Sequence, residues 1–366
     1  MKFDGFFRIV VTGGVVLFLV TTIGLISIAT QSSIGLLTGG VTTFPQATVF
    51  VPKQAPAMVS LLANPERLYG LRQASLPLNR RQRDRIEWQQ WLRDNFNRVG
   101  LDYERLKPWL GDEIAVAVTA LDYDRNPDNG MQPGYLVVAK ARKVELAQEF
   151  LNDFYGQHDV SEESYKGAKI VTDRDRLTPQ SSVRSSAIVG DLVLFTNYPL
   201  ILREAIHRAQ AVSLNLEHSD YYQQAIAQIN RPHLAIAYLD VPQTLAWLDS
   251  SSVEQIKGHL SAFLSIDRRR LVVQTALTEA DNAASQVYKS LLDRTELGKI
   301  ITLLPLEDNA YIDLKDDTSL LKNQTPDTVA KLAIKELFPH LGAIAIENSD
   351  RQNEIARSKI SFELDS

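Results

Sequence analysis

Ser186-Ala-Ile-Val-Gly-Asp-Leu-Val-Leu-Phe-Thr196, followed at once by Asn-Tyr-Pro199-Leu-Ile-Leu-Arg-Glu-Ala-Ile-His-Arg-Ala209, is the stretch that decides the fold. Two short β-rich runs, Ser186–Val189 and Leu192–Thr196, are separated by Gly190-Asp191. That dipeptide suits a two-residue hairpin turn because glycine tolerates a positive φ. Pro199 then opens a helix, where its missing N–H costs nothing. Leu202, Ala205, Ile206 and Ala209 recur at helical spacing and give that helix one apolar face.

Working outward, the same alternation of hairpins and helices continues. Ile114–Leu121 and Tyr135–Ala139 are β-rich runs joined by a polar Asp- and Gly-rich loop, a second hairpin signal. Val144, Ala147, Phe150, Leu151 and Phe154 mark an amphipathic helix, and Ala168–Thr172 reads as a strand. Trp88, Trp91, Leu92, Phe96 and Val99 place one apolar stripe along a helix from Arg80 to Val99. Residues 46–51 and 57–63 are strand-like, and Pro65 opens a short helical turn. Hairpins mixed with helices predict an α+β fold, with mixed or antiparallel sheets and packed helices, and disfavour a doubly wound nucleotide fold.

The chain repeats itself weakly. Ser60-Leu-Leu-Ala-Asn-Pro-Glu-Arg-Leu68 aligns without a gap on Ala237-Tyr-Leu-Asp-Val-Pro-Gln-Thr-Leu245, each a strand and then a proline-opened helix. Ala310-Tyr-Ile-Asp-Leu314, followed by residues 315–320, keeps the strand and offers Asp residues for the helix start. Pro108-Trp-Leu-Gly111 precedes the strand at Ile114 as Pro339-His-Leu-Gly342 precedes the strand at Ile344. Chance similarity among short β-α units is the alternative reading.

Nothing later in the chain matches residues 9–29, which are 21 residues without a charge. A helix of that length, at about 1.5 Å per residue, crosses a hydrocarbon layer of about 30 Å. Ser27 and Ala29 also satisfy the small-x-small rule of a cleavable signal, but the apolar run exceeds the usual signal core. Lys2 and Arg8 precede it and no charge follows until after Pro52, so the positive-inside rule keeps the N-terminus cytoplasmic and exports the rest, into a periplasm or thylakoid lumen. The absence of Cys is compatible with such a compartment and excludes a lipid-modified cysteine. The organisation expected is therefore a cytoplasmic N-terminus 1–8, a transmembrane anchor or uncleaved signal 9–29, and a flexible tether 30–44. A first α+β unit at 45–230 and a second α+β region at 231–366, with weak repeats of the first, follow. The net charge of −5 leaves the exported part acidic, which argues against nucleic acid as a partner.

Gly100-Leu-Asp-Tyr-Glu-Arg-Leu-Lys-Pro-Trp-Leu-Gly111, Tyr165-Lys-Gly-Ala-Lys-Ile170 and Ala187-Ile-Val-Gly-Asp-Leu192 before a proline-started helix together resemble a large family of cyanobacterial membrane-anchored proteins, domain of unknown function 3352. The resemblance covers roughly residues 45–364. It implies an N-terminal anchor or signal and an extracytoplasmic α+β domain. Its motifs are turns, strand starts and helix starts, so it brings no catalytic residues.

Several residues have both a chemical reading and a plainer one. Asp122-Tyr-Asp-Arg-Asn-Pro-Asp-Asn-Gly130 has oxygen side chains at alternate positions, like the start of a calcium loop. Pro127 stands where such a loop needs glycine and Pro133 where it needs a bidentate Glu, so a solvated turn is expected. None of His158, His207, His218, His233, His259 and His340 pairs with another at i, i+4, and no phosphate-cradling loop or nucleophile elbow occurs. Hence no catalytic residue, metal site or cofactor is assigned. Arg80, Arg81, Arg83 and Arg85 open the first long helix, where the helix dipole favours acids instead. They are the candidate docking residues for anionic headgroups or an acidic partner, the alternative being a solvated face. Arg268, Arg269 and Arg270 form a second basic cluster, and Trp88, Trp91 and Trp109 are expected in the core. The function expected is a non-catalytic extracytoplasmic interaction or assembly module, tethered by its N-terminal helix and open to a membrane-protein partner. The alternative is a carrier of a lipid, pigment or other small hydrophobe in an apolar cavity; an enzyme ranks below both.

Overall fold

The structure, a computed structural model, describes residues 43–66, 101–126, 128, 130–156, 158–174, 183–227, 232–240, 242–243, 258–267, 270–278, 309–313, 341–352 and 355–364, with part of 82–97. The expected anchor at 9–29 and most of the tether lie outside these residues. Among the described residues no helix is long and apolar enough to cross a membrane. The fold is α+β, with antiparallel strand pairing throughout and several helices. The chain divides into two compact units. One comprises residues 43–67 and 77–223, and the other comprises 224–366 with the segments 1–42 and 68–76.

The N-terminal unit orders its strands β1-β2-β3-β7-β6-β5-β4. These are β1 (Ala57–Leu61), β2 (Leu110–Ala120), β3 (Gly134–Ala141), β4 (Val160–Tyr165), β5 (Ala168–Asp173), β6 (Ser185–Val189) and β7 (Leu192–Thr196). The middle of the sheet is apolar on both faces: Leu136, Val137 and Val138 of β3, and Val193, Leu194 and Phe195 of β7, are all buried. The predicted Gly190-Asp191 turn joins β6 to β7, with Gly190 at φ 64°. A second two-residue turn, Lys166-Gly167, has both φ values positive and joins β4 to β5.

The helices of this unit include α1 (Tyr103–Leu106), α2 (Val144–Tyr155) and α3 (Pro199–Gln210). Helix α2 buries Ala147, Phe150, Leu151 and Tyr155, and Phe150 packs on Trp109 with ring centroids 5.6 Å apart. Helix α3 starts at Pro199 and buries Ile201, Leu202, Ala205 and Ile206. The motif of residues 100–111 turns out to be a joint. Asp102 caps α1, the Arg142 guanidinium donates to the carbonyls of Lys107 and Pro108, and the Asn64 amide donates to the carbonyls of Leu110 and Gly111 at 2.9 Å. Gly111 has no room for a side chain, since a Cβ there would lie 2.8 Å from the Lys140 carbonyl oxygen.

One expectation is corrected. Residues 46–51 are not a strand: Gln46–Phe50 form a 3-10 helix. Pro45 holds the chain at φ −59° at its start, and the Glu113 carboxylate of β2 collects the first two N–H groups, from Gln46 and Ala47. A tertiary acceptor overrides local β propensity here. The described residues of 82–97 are helical, as the periodicity predicts, with Leu92 buried.

The C-terminal unit orders its strands β8-β9-β10-β13-β12-β11, from β8 (Ala235–Asp240), β9 (His259–Asp267), β10 (Arg270–Thr278), β11 (Asn309–Asp313), β12 (Leu341–Gln352) and β13 (Ile355–Leu364). The segments aligned by sequence each supply the first of three consecutive strands paired antiparallel. Ser60 lies opposite Ala115, Ala237 opposite Ala262 and Ala310 opposite Ile346. Their partners in turn lie opposite Val138, Thr275 and Ile360.

Candidate interaction surfaces

The loop between β2 and β3 folds back on the start of α3 and builds a polar–aromatic site there. The Tyr123 N–H donates to the Gln132 carbonyl at 2.8 Å, closing the loop, and the Asn197 amide donates to the Pro133 carbonyl at 2.9 Å. These bonds bring the rings of Tyr123 and Tyr198 to 4.8 Å between centroids. Gly134 is required beneath them, because a Cβ would lie 2.9 Å from the Tyr123 ring and 2.7 Å from Ile201.

Burial pushes the Tyr198 hydroxyl up to about 12, with the Asp124 and Asp122 carboxylates adding to the rise. Burial, then the Glu204 carboxylate, pushes Tyr123 higher still. Glu204 also takes a 2.8 Å charge-assisted bond from Arg208 one turn further along α3. Both hydroxyl oxygens are themselves buried, so the rings rather than the O–H groups border the surface. Around them Met131 and Leu200 are each 50% exposed. Tyrosine, arginine and methionine are residue types enriched in protein interfaces.

The opposite flank of α3 is tied to the sheet edge. Arg203 Nε donates to Glu163 at 3.1 Å, Gln210 donates to the Lys166 carbonyl, and Lys166 meets His207. These contacts hold α3 on both sides.

Of the candidate docking residues, Arg83 and Arg85 are exposed on helical backbone, with Ile86 exposed beside them; Arg80 and Arg81 lie outside the described residues. Trp109 is buried as expected, and Trp88 and Trp91 lie outside. Arg270 begins β10, and Arg268 and Arg269 lie outside. The loop at Asp122–Gly130 is an Asx-type turn: Asp124 accepts the Asn126 N–H and Asn126 accepts the Asp128 N–H. Among the described residues no group of three or more His, Cys, Asp or Glu side chains is placed to hold a metal ion. The histidines are dispersed. His158 meets the buried Asp173 carboxylate at 3.1 Å, His218 meets Asn215, and His259 lies 2.7 Å from the Tyr238 hydroxyl; His340 lies outside.

The buried Glu113 clamp was not foreseen from sequence. It is 5% exposed, with Oε1 2.8 Å from the Ala47 nitrogen and Oε2 3.0 Å from that of Gln46. Burial raises its pKa, while those two N–H donors and the Lys140 cation oppose the rise. A signal was present: Gly111, Glu113, Ala115 and Ala117 share the inward-facing phase of β2, so the period of two already places a carboxylate inside.

The profile of a family described as "Protein of unknown function (DUF3352)" matches residues 10–280. The chain belongs to this family. The DUF3352 match covers all of the N-terminal unit and the first three strands of the C-terminal one. Among solved structures, crystal form III of TP0453 overlaps with a TM-score of 0.38 at 7% identity, covering 88% of this chain and 92% of that one. Crystal form IV of TP0453 gives 0.35 at 8% identity, covering 68% and 83%. No curated protein matches the chain.

Proposed function

We propose that this DUF3352 protein is a non-catalytic interaction or assembly module, held by its N-terminal apolar helix on the outer side of a membrane and engaging a protein partner in that membrane. Residues 9–29 are the anchor, left in the mature protein with the N-terminus inside. The three runs of consecutive antiparallel strands are read as copies of one β-meander unit, elaborated in the N-terminal unit by β4 to β7 and α3. The single observation that carries the reading is the site at the β2–β3 loop. Two half-exposed apolar side chains, Met131 and Leu200, frame a paired-tyrosine site with Arg208 one helix turn from Glu204. Such a surface supplies exposed apolar side chains beside partly exposed aromatic rings, which is the composition of an interface centre.

The test places a photo-crosslinking amino acid at Leu200, or at Glu149 on α2 as a control, in the full chain within native membranes. A discrete adduct from Leu200 that is absent from Glu149 and abolished by Met131→Asp supports the reading. Equal, diffuse labelling from both positions overturns it. A lipid or small-molecule adduct in place of a protein would turn the reading to the carrier.

A further inference from the structure

We infer that the turn Val212-Ser213-Leu214 is a second membrane contact, docking on the outer face of the bilayer that holds the anchor; this rests on the anchored reading above. The turn is a 3-10 helix directly after α3, and its Val212 and Leu214 side chains are 51% and 47% exposed. Branched apolar side chains two apart on a turn leave both without a core to cover them. Their backbone is nonetheless firmly held. The Lys53 N–H donates to the Leu214 carbonyl at 3.2 Å, the Leu216 N–H donates to the Val51 carbonyl at 2.8 Å, and Pro52 bridges Asn215.

Those contacts decide the occupant, because residues 51–53 lie close in sequence to where the chain enters the fold. From Thr43, five of the next ten residues form the 3-10 helix Gln46–Phe50, at about 2 Å of rise each. The turn is therefore within roughly 25 Å of the entry point. The 15 residues 30–44 reach at most about 50 Å even if fully extended. The two lengths together keep Val212 and Leu214 within roughly 75 Å of the outer end of the anchor. The encounter is intramolecular, and weak apolar contacts become effective at such local concentrations. Phe44, at the end of the tether, is also partly exposed and adds an aromatic side chain of the kind that settles in the interface. Helix α3, about 18 Å long over its 12 residues, separates this turn from Leu200 at its other end. A docked turn therefore leaves the tyrosine site free for a partner.

The chain contains no cysteine, so single labels are unambiguous. The full chain carrying Ser213→Cys, labelled with an environment-sensitive fluorophore, is reconstituted into phosphatidylcholine–phosphatidylglycerol vesicles with or without doxyl-labelled lipid. A Glu149→Cys label is the control. Quenching at position 213 but not at 149 is expected, and Val212→Asp with Leu214→Asp should cut the docked-to-undocked ratio at least about tenfold, since the apolar area lost is comparable to two half-buried side chains. Vesicle flotation with alkaline extraction is read alongside. A floating, extraction-resistant chain with an unquenched 213 label, or quenching that the double variant leaves unchanged, overturns the inference and leaves the anchor standing. A chain that does not float overturns the anchored reading and this inference with it.

Discussion

Removing the Glu113 carboxylate should release the segment that leads into the sheet. In Glu113→Ala the N–H groups of Gln46 and Ala47 lose their acceptor, and Ala47 is fully buried, so water cannot substitute freely. Each hydrogen bond to a charged group contributes about 1.5–3 kcal/mol, and the relief of a buried charge offsets part of the sum. The net loss expected is about 2–3 kcal/mol. By amide exchange, residues 46–52 should then open roughly 30–150-fold more often, at about tenfold per 1.4 kcal/mol, while β3 and β7 keep their protection. The pH dependence follows from the direction of the Glu113 shift. Its pKa in the folded protein is raised by burial, so its contribution to stability is full below the unfolded carboxylate value and is lost as pH rises through the folded one. Glu113→Gln has no such titration. Its deficit relative to the parent protein should therefore be largest at acid pH and shrink toward pH 8. Unchanged exchange at 46–52 in the Ala variant, or a Gln deficit that grows with pH, would refute this account of the clamp.

Gly111→Ala should lower the melting temperature of the N-terminal unit by a loss of about 1–3 kcal/mol, because the new Cβ meets the Lys140 backbone at 2.8 Å and the β2–β3 pairing must shift. Gly190→Ala should cost about 1–2 kcal/mol in urea denaturation, as its φ of 64° is strained for any residue with a Cβ although the space is open. Replacing Arg80, Arg81, Arg83 and Arg85 by Gln should weaken binding of the reconstituted chain's outer part to anionic vesicles, each Arg near the surface contributing about 1 kcal/mol at low salt, read by surface quenching of a label at Arg93→Cys. Equal quenching in parent and variant would assign the cluster to a solvated face.

The hairpins and helix starts were legible because their signals are local. Gly190-Asp191 states its turn, Pro199 states the first position of α3, and the spacing of Leu202, Ala205 and Ile206 states which face is buried. Glu113 was legible only in phase, since its role depends on a chain segment more than sixty residues earlier arriving beside it. The same dependence misled the reading of residues 46–51, whose apolar and β-branched residues look like a strand until that distant acceptor is counted. The tyrosine pair was hidden for a like reason: Tyr123 sits in a loop that reads as solvated, and its partner Tyr198 is 75 residues away. The Asp122–Gly130 turn was legible as a turn because Asp and Asn bond to their own neighbouring backbone whatever lies around them.

The placement of the clamp has a mechanical consequence. Ala57 of β1 lies opposite Val118 and Leu61 opposite Ile114, so Glu113 sits beyond the far end of β1. Tension pulling at residue 43 arrives first at Gln46 and Ala47, which are bolted to β2, an interior strand bonded on both sides. Residues 48–56, the rest of the 3-10 helix and the turn after it, return between that bolt and Ala57, braced midway by the Leu214 and Leu216 backbone. A pull on residue 43 is thus short-circuited into the middle of the sheet. The hydrogen bonds of β1 feel no load until both carboxylate bonds have parted, and a strand that would otherwise unzip from its first residue is spared the force.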